Sequence, residues 1–234
     1  MPALRRLADS GSSHSMANRF RDRRFRLFQR LISALPRPVR IIDVGGTSRF
    51  WELRGCAGNT DYQVTTLNLE AEKQRAGNIM PVIGDATHLS AFGDHSFDVA
   101  FSNSVIEHLA TPSKQASMAE EIQRVAVAHW VQTPNYWFPI EPHFHVPGWQ
   151  WMPQSLRVAV LRRFRCGWRG PCPDAIVAQR MVAEIRLLTY RELRRLFPNS
   201  TILPERFLGV TKSWIVVGGF VQLQTSLSGQ SPAS

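Results

Sequence analysis

At 234 residues the chain suits one domain with a sizeable core, and 44% hydrophobic against 20% charged residues are the proportions of a globular protein. No apolar run approaches the roughly 18 residues a membrane-spanning helix needs, and three cysteines without a C-x-x-C pair argue against a disulfide framework or a structural zinc. The net charge of +10 is uneven, because residues 1–40 hold ten Arg against Asp9 and Asp22 and residues 151–195 hold ten Arg against Asp174, Glu184 and Glu192. Such flanks suit nucleic acid, anionic lipid heads or phosphorylated substrates, or are simply solvated surface.

Residues 1–15 are polar, with no apolar core of signal-peptide length, so disorder there and a cytoplasmic location are expected. Met16 is a second candidate start. Residues 17–35 place Phe20, Phe25, Phe28, Leu31, Ile32 and Leu35 near helical spacing and stop at "PRP". This basic amphipathic helix could lie on a membrane surface, close over an active site, or pack its apolar stripe on the domain. Strands are then predicted at 39–44, 64–69, 80–83, 97–102 and 128–132, with a helix at 112–126. Strands alternating with helical stretches predict an α/β, mostly parallel sheet with its ligand crevice at the strand C-terminal ends. Residues 136–174 break the rhythm as an aromatic, Pro- and Arg-rich insertion after strand five, beside that crevice. A closing unit, 185–222, follows: Thr189 and Glu192 form a capping box for a helix, and two strands complete a seven-stranded sheet, the last at 213–217. Residues 223–234 read as a loose tail, and 16–222 as one domain.

Chemistry-bearing residues recur at successive strand ends. Asp43-x-Gly45-Gly46 closes strand one, Asn68-Leu69-Glu70 closes strand two, Gly84-Asp85-Ala86 follows strand three, and "FDVAFSNSVIEHL" runs from strand four through Ser102 and Asn103 to Glu107 and His108. With these motifs, residues 39–135 resemble the class I S-adenosylmethionine-dependent methyltransferases, especially the small bacterial type 11 group. The resemblance implies a Rossmann-like methyltransferase fold, S-adenosyl-L-methionine as cofactor with S-adenosyl-L-homocysteine as product, and a small-molecule acceptor. The first loop agrees: a dinucleotide pyrophosphate needs a longer Gly-rich turn, whereas Thr47 and Phe50 stand in the later glycine slots here. A methionine end needs only close backbone approach, which Gly45 and Gly46 allow.

By resemblance, Asp43 would orient the loop and the cofactor's amino group, and Asp85 would accept from the adenine amino group with Ala86 adding a backbone contact. Asp85 can equally be a turn-forming Asp. The ribose acid of the family is replaced by Asn68, with Glu70 two residues later, so either could hold the ribose. Arg49 could pair with the methionine carboxylate or be an exposed loop Arg. Ser102 and Asn103 would stand near the methyl group, with His108 lining the active site.

In the insertion, "IEPHFH", if extended, puts Glu141, His143 and His145 on one face. They could chelate a metal, but short-range ligands without a distant partner make a weak site, and no metal is expected. His143 is instead the favoured general base for a substrate hydroxyl, with Glu141 and His108 beside it. Tyr136, Trp137, Phe138 and Phe144 would form a water-excluding wall. Trp149, Trp151 and Trp168 would line an acceptor pocket or anchor the insertion. Oxygen is the favoured acceptor atom. An RNA methyltransferase using the Arg flanks and a non-catalytic binding protein are the alternatives; the oligomeric state is not legible.

Overall fold

In the computed structural model, residues 16–70, 72 and 77–220 are described. The readings of 1–15 as disordered and of 223–234 as a loose tail lie outside the described residues. Seven strands form one sheet in the order β3-β2-β1-β4-β5-β7-β6: β1 Val39–Val44, β2 Tyr62–Asn68, β3 Ile79–Ile83, β4 Phe97–Asn103, β5 Ala126–Pro134, β6 Thr201–Phe207 and β7 Val210–Gly218. The first five are mutually parallel, and β7 inserts antiparallel between β5 and β6. Each predicted strand is present: β1 keeps its predicted bounds, β2 starts two residues earlier and ends one earlier, and β3, β4, β5 and β7 are longer by one to four residues where ladder bonds continue past the apolar run.

The central strands are apolar on both faces because helices cover both. Neighbours on β1 divide accordingly: Ile41 joins one cluster with Phe28, Trp51, Phe101 and Trp130, while Ile42 joins the other with Met118, Ile122, Leu193 and Phe197. The first face is covered by α1 (Met16–Ile32) and the short α2 (Ser48–Glu52), the second by α3 (Pro112–Val125) and α6 (Tyr190–Leu196). α1 ends at Ile32 rather than Leu35, in a turn closed by the Leu35 N–H on the Ile32 carbonyl at 3.1 Å. Its stripe of Phe25, Phe28 and Ile32 is buried on the sheet, which leaves its Arg-bearing side outward. The predicted capping box holds α6: the Thr189 hydroxyl accepts from the Glu192 N–H, and the Glu192 carboxylate accepts from the Thr189 N–H.

The insertion has a small core of its own. Phe144 stacks on Trp149 at 4.3 Å, and both pack with Leu161 of α4 (Gln154–Arg163) and with Ala178 and Val182 of α5 (Ala175–Ala183). This packing carries the unit past residue 174. Among the described residues, no helix is long and apolar enough to cross a membrane.

Candidate active site

The loop after β1 is built around a buried acid. Gly45 has φ +78, a left-handed conformation that favours glycine, and a Cβ there would lie 2.6 Å from Val105. A Cβ on Gly46 would fall 1.7 Å from the Asp43 Oδ2. Asp43 is fully buried beneath this loop, where Oδ2 accepts from the Trp51 indole N–H at 2.7 Å and Oδ1 has no partner among the described residues. Desolvation pushes its pKa up to about 7, against the lowering pull of the Trp51 bond. The aromatic in a missing-glycine slot, Phe50, and its neighbour Trp51 have a packing cause. Phe50 and Trp51 meet Phe25 of α1 at 5.7 and 5.8 Å and Phe101 of β4 at 5.5 Å each, so α2 is pinned by rings rather than by close backbone packing. A side-chain-free loop over a carboxylate with one open acceptor atom fits the zwitterionic end of S-adenosylmethionine.

The second strand tip carries both sequence alternatives and a third polar group. Asn68 Nδ2 donates to the Gly46 carbonyl at 2.5 Å and so braces the loop, while Glu70 is exposed. The carboxylate that reaches the loop is Glu72, which accepts from the Ser48 N–H at 3.0 Å, the Ser48 hydroxyl at 2.7 Å and the Thr66 hydroxyl at 3.2 Å. Nothing in "NLEAEK" separates Glu72 from its neighbours, so the sequence carried no signal for it. Arg49 is exposed. Asp85 is exposed and accepts from the Thr87 N–H and hydroxyl, both at 2.8 Å, which lower its pKa; Ala86 follows in the same turn.

At the tip of β4, Ser102 is buried and its hydroxyl donates to the Val44 carbonyl at 3.1 Å. Asn103 Oδ1 accepts from Arg24 of α1 at 2.9 Å, and the same guanidinium meets Glu205 of β6 at 3.3 Å. Arg24 thus ties α1 across the sheet edge. Its position was readable: residues 20, 24 and 28 share a helix face, and Arg24 stands between two phenylalanines.

The insertion brings three predicted residues together. Segment 141–145 is a turn, not an extended strand, because Glu141 folds its carboxylate back onto the N–H groups of His143 and Phe144, both at 2.7 Å. The common face for Glu141, His143 and His145 is therefore overturned, and His145 stands against Trp168 at 5.7 Å. Glu141 Oε1 pairs with His143 Nδ1 at 2.5 Å, and His143 Nε2 meets His108 Nε2 at 3.2 Å. Desolvation alone would lower the His143 pKa, but the Glu141 hydrogen bond and charge hold it above the ordinary value. His108 is pulled down to about 4 by desolvation and by the neighbouring His143. Below them Glu107 is fully buried, with Oε2 accepting from the Thr133 hydroxyl at 2.9 Å; burial raises its pKa to about 7.

The expected aromatic wall divides. Phe144 and Trp149 are buried in the insertion core, whereas Trp137, Trp151 and Trp168 are exposed. Tyr136 instead lines a cavity of about 390 Å³ with Glu141, Trp149, Gln150, Arg157 and Arg186.

The sheet order, with a glycine loop after β1 and polar strand tips on one edge, defines a class: the class I, S-adenosylmethionine-dependent methyltransferase fold. Within it, residues 45–128 match the type 11 family model, described as a methyltransferase domain. Two uncharacterized proteins of Mycobacterium tuberculosis are each 33% identical over 67 residues, 29% of this chain. The matched stretch spans 23% of those curated relatives. Among solved structures, a chain from the Haloferax volcanii complex of the Trm112 methyltransferase activator with a methyltransferase is similar at TM-score 0.50 and 14% identity, covering 92% of this chain and 96% of that one. Haemonchus contortus phosphoethanolamine N-methyltransferase 2, bound to S-adenosyl-L-methionine, is similar at TM-score 0.50 and 12% identity over 78% of this chain and 38% of that one. A Rhodobacter sphaeroides chain named a Zn-dependent alcohol dehydrogenase reaches TM-score 0.54 at 12% identity, over 82% and 87%. These structural likenesses speak for the fold.

Proposed function

We propose that the protein transfers a methyl group from S-adenosylmethionine to a hydroxyl oxygen of a small-molecule acceptor. The observation that carries the reading is the Glu141–His143 pair, held at the same sheet edge as the Asp43–Gly45–Gly46 loop through Glu107, Thr133 and His108. When bound, the cofactor supplies an electrophilic methyl group on a sulfonium. Asp43, Gly45, Gly46, Asn68, Asp85, Ala86 and Asn103 would hold it, with Ser102 shaping the β4 tip and Arg49 or Glu70 adding a contact if the loops close. Glu72 already braces the same loop.

In this reading the acceptor lies in the cavity beside Glu141, where Tyr136 and Trp149 supply apolar surface and Arg157 a cation. Its hydroxyl faces His143 Nε2. Nε2 of His143 would accept the hydroxyl proton as the acceptor oxygen takes the methyl group. Glu141 keeps the proton on Nδ1 and stabilises the imidazolium that forms. Positioning and exclusion of water would supply much of the remaining rate.

Calorimetry with S-adenosylhomocysteine tests the cofactor half. Absence of binding at high protein concentration would favour the non-catalytic binding protein. Labelled methionine fed to the host, with and without the gene, tests the acceptor half. Label in a small metabolite supports this reading; label in RNA supports the RNA alternative, for which the outward Arg23, Arg26 and Arg30 of α1 offer a basic face.

A further inference from the structure

We infer that Glu107, His108 and His143 form a binding site for a divalent transition-metal ion of the zinc type. One ligand atom from each lies within 4.8 Å of the others. Two imidazole nitrogens held at about 2.0–2.1 Å from a tetrahedral ion stand about 3.3–3.4 Å apart. The two Nε2 atoms here are 3.2 Å apart, with the rings perpendicular and their centroids at 4.8 Å. That spacing suits a shared ion as well as it suits a direct hydrogen bond.

Three further features separate the two possibilities. Glu141 occupies Nδ1 of His143 at 2.5 Å, which fixes the tautomer and turns the Nε2 lone pair toward His108; a carboxylate behind a histidine is the usual orienting partner of a metal ligand. Glu107 is buried, and among the described residues only its Oε2 has a partner, Thr133, while Oε1 has none. A buried acceptor left open beside two convergent imidazoles is accounted for by a cation and not by a histidine–histidine hydrogen bond. The donors also come from segments 35 residues apart, one on the β4 side of the sheet edge and one on the insertion. That is the distant partner a metal site in "IEPHFH" lacked, and it replaces His145. Three protein ligands leave a fourth position for water or an acceptor oxygen, as in catalytic rather than structural zinc sites. His108 is exposed on its outer side, which gives the ion a route in.

This site goes beyond the proposed function and meets it at one atom: Nε2 of His143 holds either the acceptor's proton or the ion. The test uses the full chain, tag removed and chelator-stripped, titrated with Zn²⁺ and with Co²⁺ alone. The expected result is one ion per chain and, for Co²⁺, the intense visible absorption of four-coordinate geometry. His108→Asn and His143→Asn should each weaken Zn²⁺ binding at least 100-fold, and Glu141→Gln 10- to 100-fold. His95→Asn, on a remote exposed turn, should not change it. S-adenosylhomocysteine binding by each variant reports that it is folded, and circular dichroism does so if the wild type does not bind that ligand. Fewer than one ion per ten chains, or wild-type affinity in folded His108→Asn and His143→Asn, would overturn the site. Zn²⁺ binding without S-adenosylhomocysteine binding would keep the site and remove the methyltransferase reading; the reverse would keep that reading and remove the site.

Discussion

Replacing Asp43 by Asn should make the protein more stable and less able to bind its cofactor. Asp43 is completely buried, and its pKa rises from an ordinary value of 3.8 to about 7, chiefly through desolvation. The folded state therefore holds a proton that the unfolded chain has released. Stability falls as pH climbs from 3.8 toward 7, because the unfolded state binds fewer protons throughout that window. Carried through, the raised pKa costs folding about 2 kcal/mol at pH 5 and about 4 kcal/mol at pH 8. Asn keeps an acceptor for the Trp51 N–H and cannot ionise. Urea denaturation at the two pH values should then show the advantage of Asp43→Asn widening by about 2 kcal/mol, while S-adenosylhomocysteine affinity falls. An advantage that stays flat with pH, or a variant that binds the ligand as well as wild type, would refute the account of Asp43 as a strained binding carboxylate.

Gly46→Ala should cost about 1–3 kcal/mol in urea and at least tenfold in cofactor affinity, since its Cβ would overlap Asp43 Oδ2. His143→Gln should lower kcat about 10²- to 10⁴-fold with S-adenosylhomocysteine binding unchanged by calorimetry. In the metal-free wild type, activity should rise with pH through an apparent pKa above 6.5, because Glu141 holds the base protonated until then, and the variant should lose that limb. Arg24→Met should destabilise by about 3–5 kcal/mol in urea by stranding Glu205, and Arg24→Met with Glu205→Gln should recover part of that loss.

The sheet was legible because β1, β2, β4 and β5 are apolar runs bounded by turns, and the crossover rule then puts their C-terminal ends on one edge. The strand-tip motifs were legible for a related reason: chemistry at a fixed edge leaves residues at fixed distances after each run. The insertion was legible only in content. "IEPHFH" named two of the residues that meet, yet strand alternation gave the wrong third, because Glu141 caps its own turn and no local pattern announces a carboxylate folding back on the next two N–H groups. Glu72 depends on how the loop after β2 curls toward Ser48, which a sequence window does not encode. Arg24 is different in kind. Its place on the Phe20–Phe28 face was visible, but a helix carrying so many arginines reads as solvated until one of them is found beneath it.

The docking of α1 constrains the order in which this protein folds. Phe28 closes against Phe101 at 4.8 Å and Trp130 at 5.8 Å, and Arg24 waits for Asn103, 79 residues on, and for Glu205 on β6. During synthesis the helix meets Phe50 and Trp51 of α2 early but lacks Phe101, Trp130 and Glu205 until the sheet emerges, so part of its phenylalanine stripe stays open to water and to other chains in the meantime. Long-range closure of this kind slows folding and favours association of unfinished chains. Yield on expression should therefore respond more sharply to temperature and chaperone supply than native stability does, and polar substitutions at Phe25 or Phe28 should trade aggregation for failure to close.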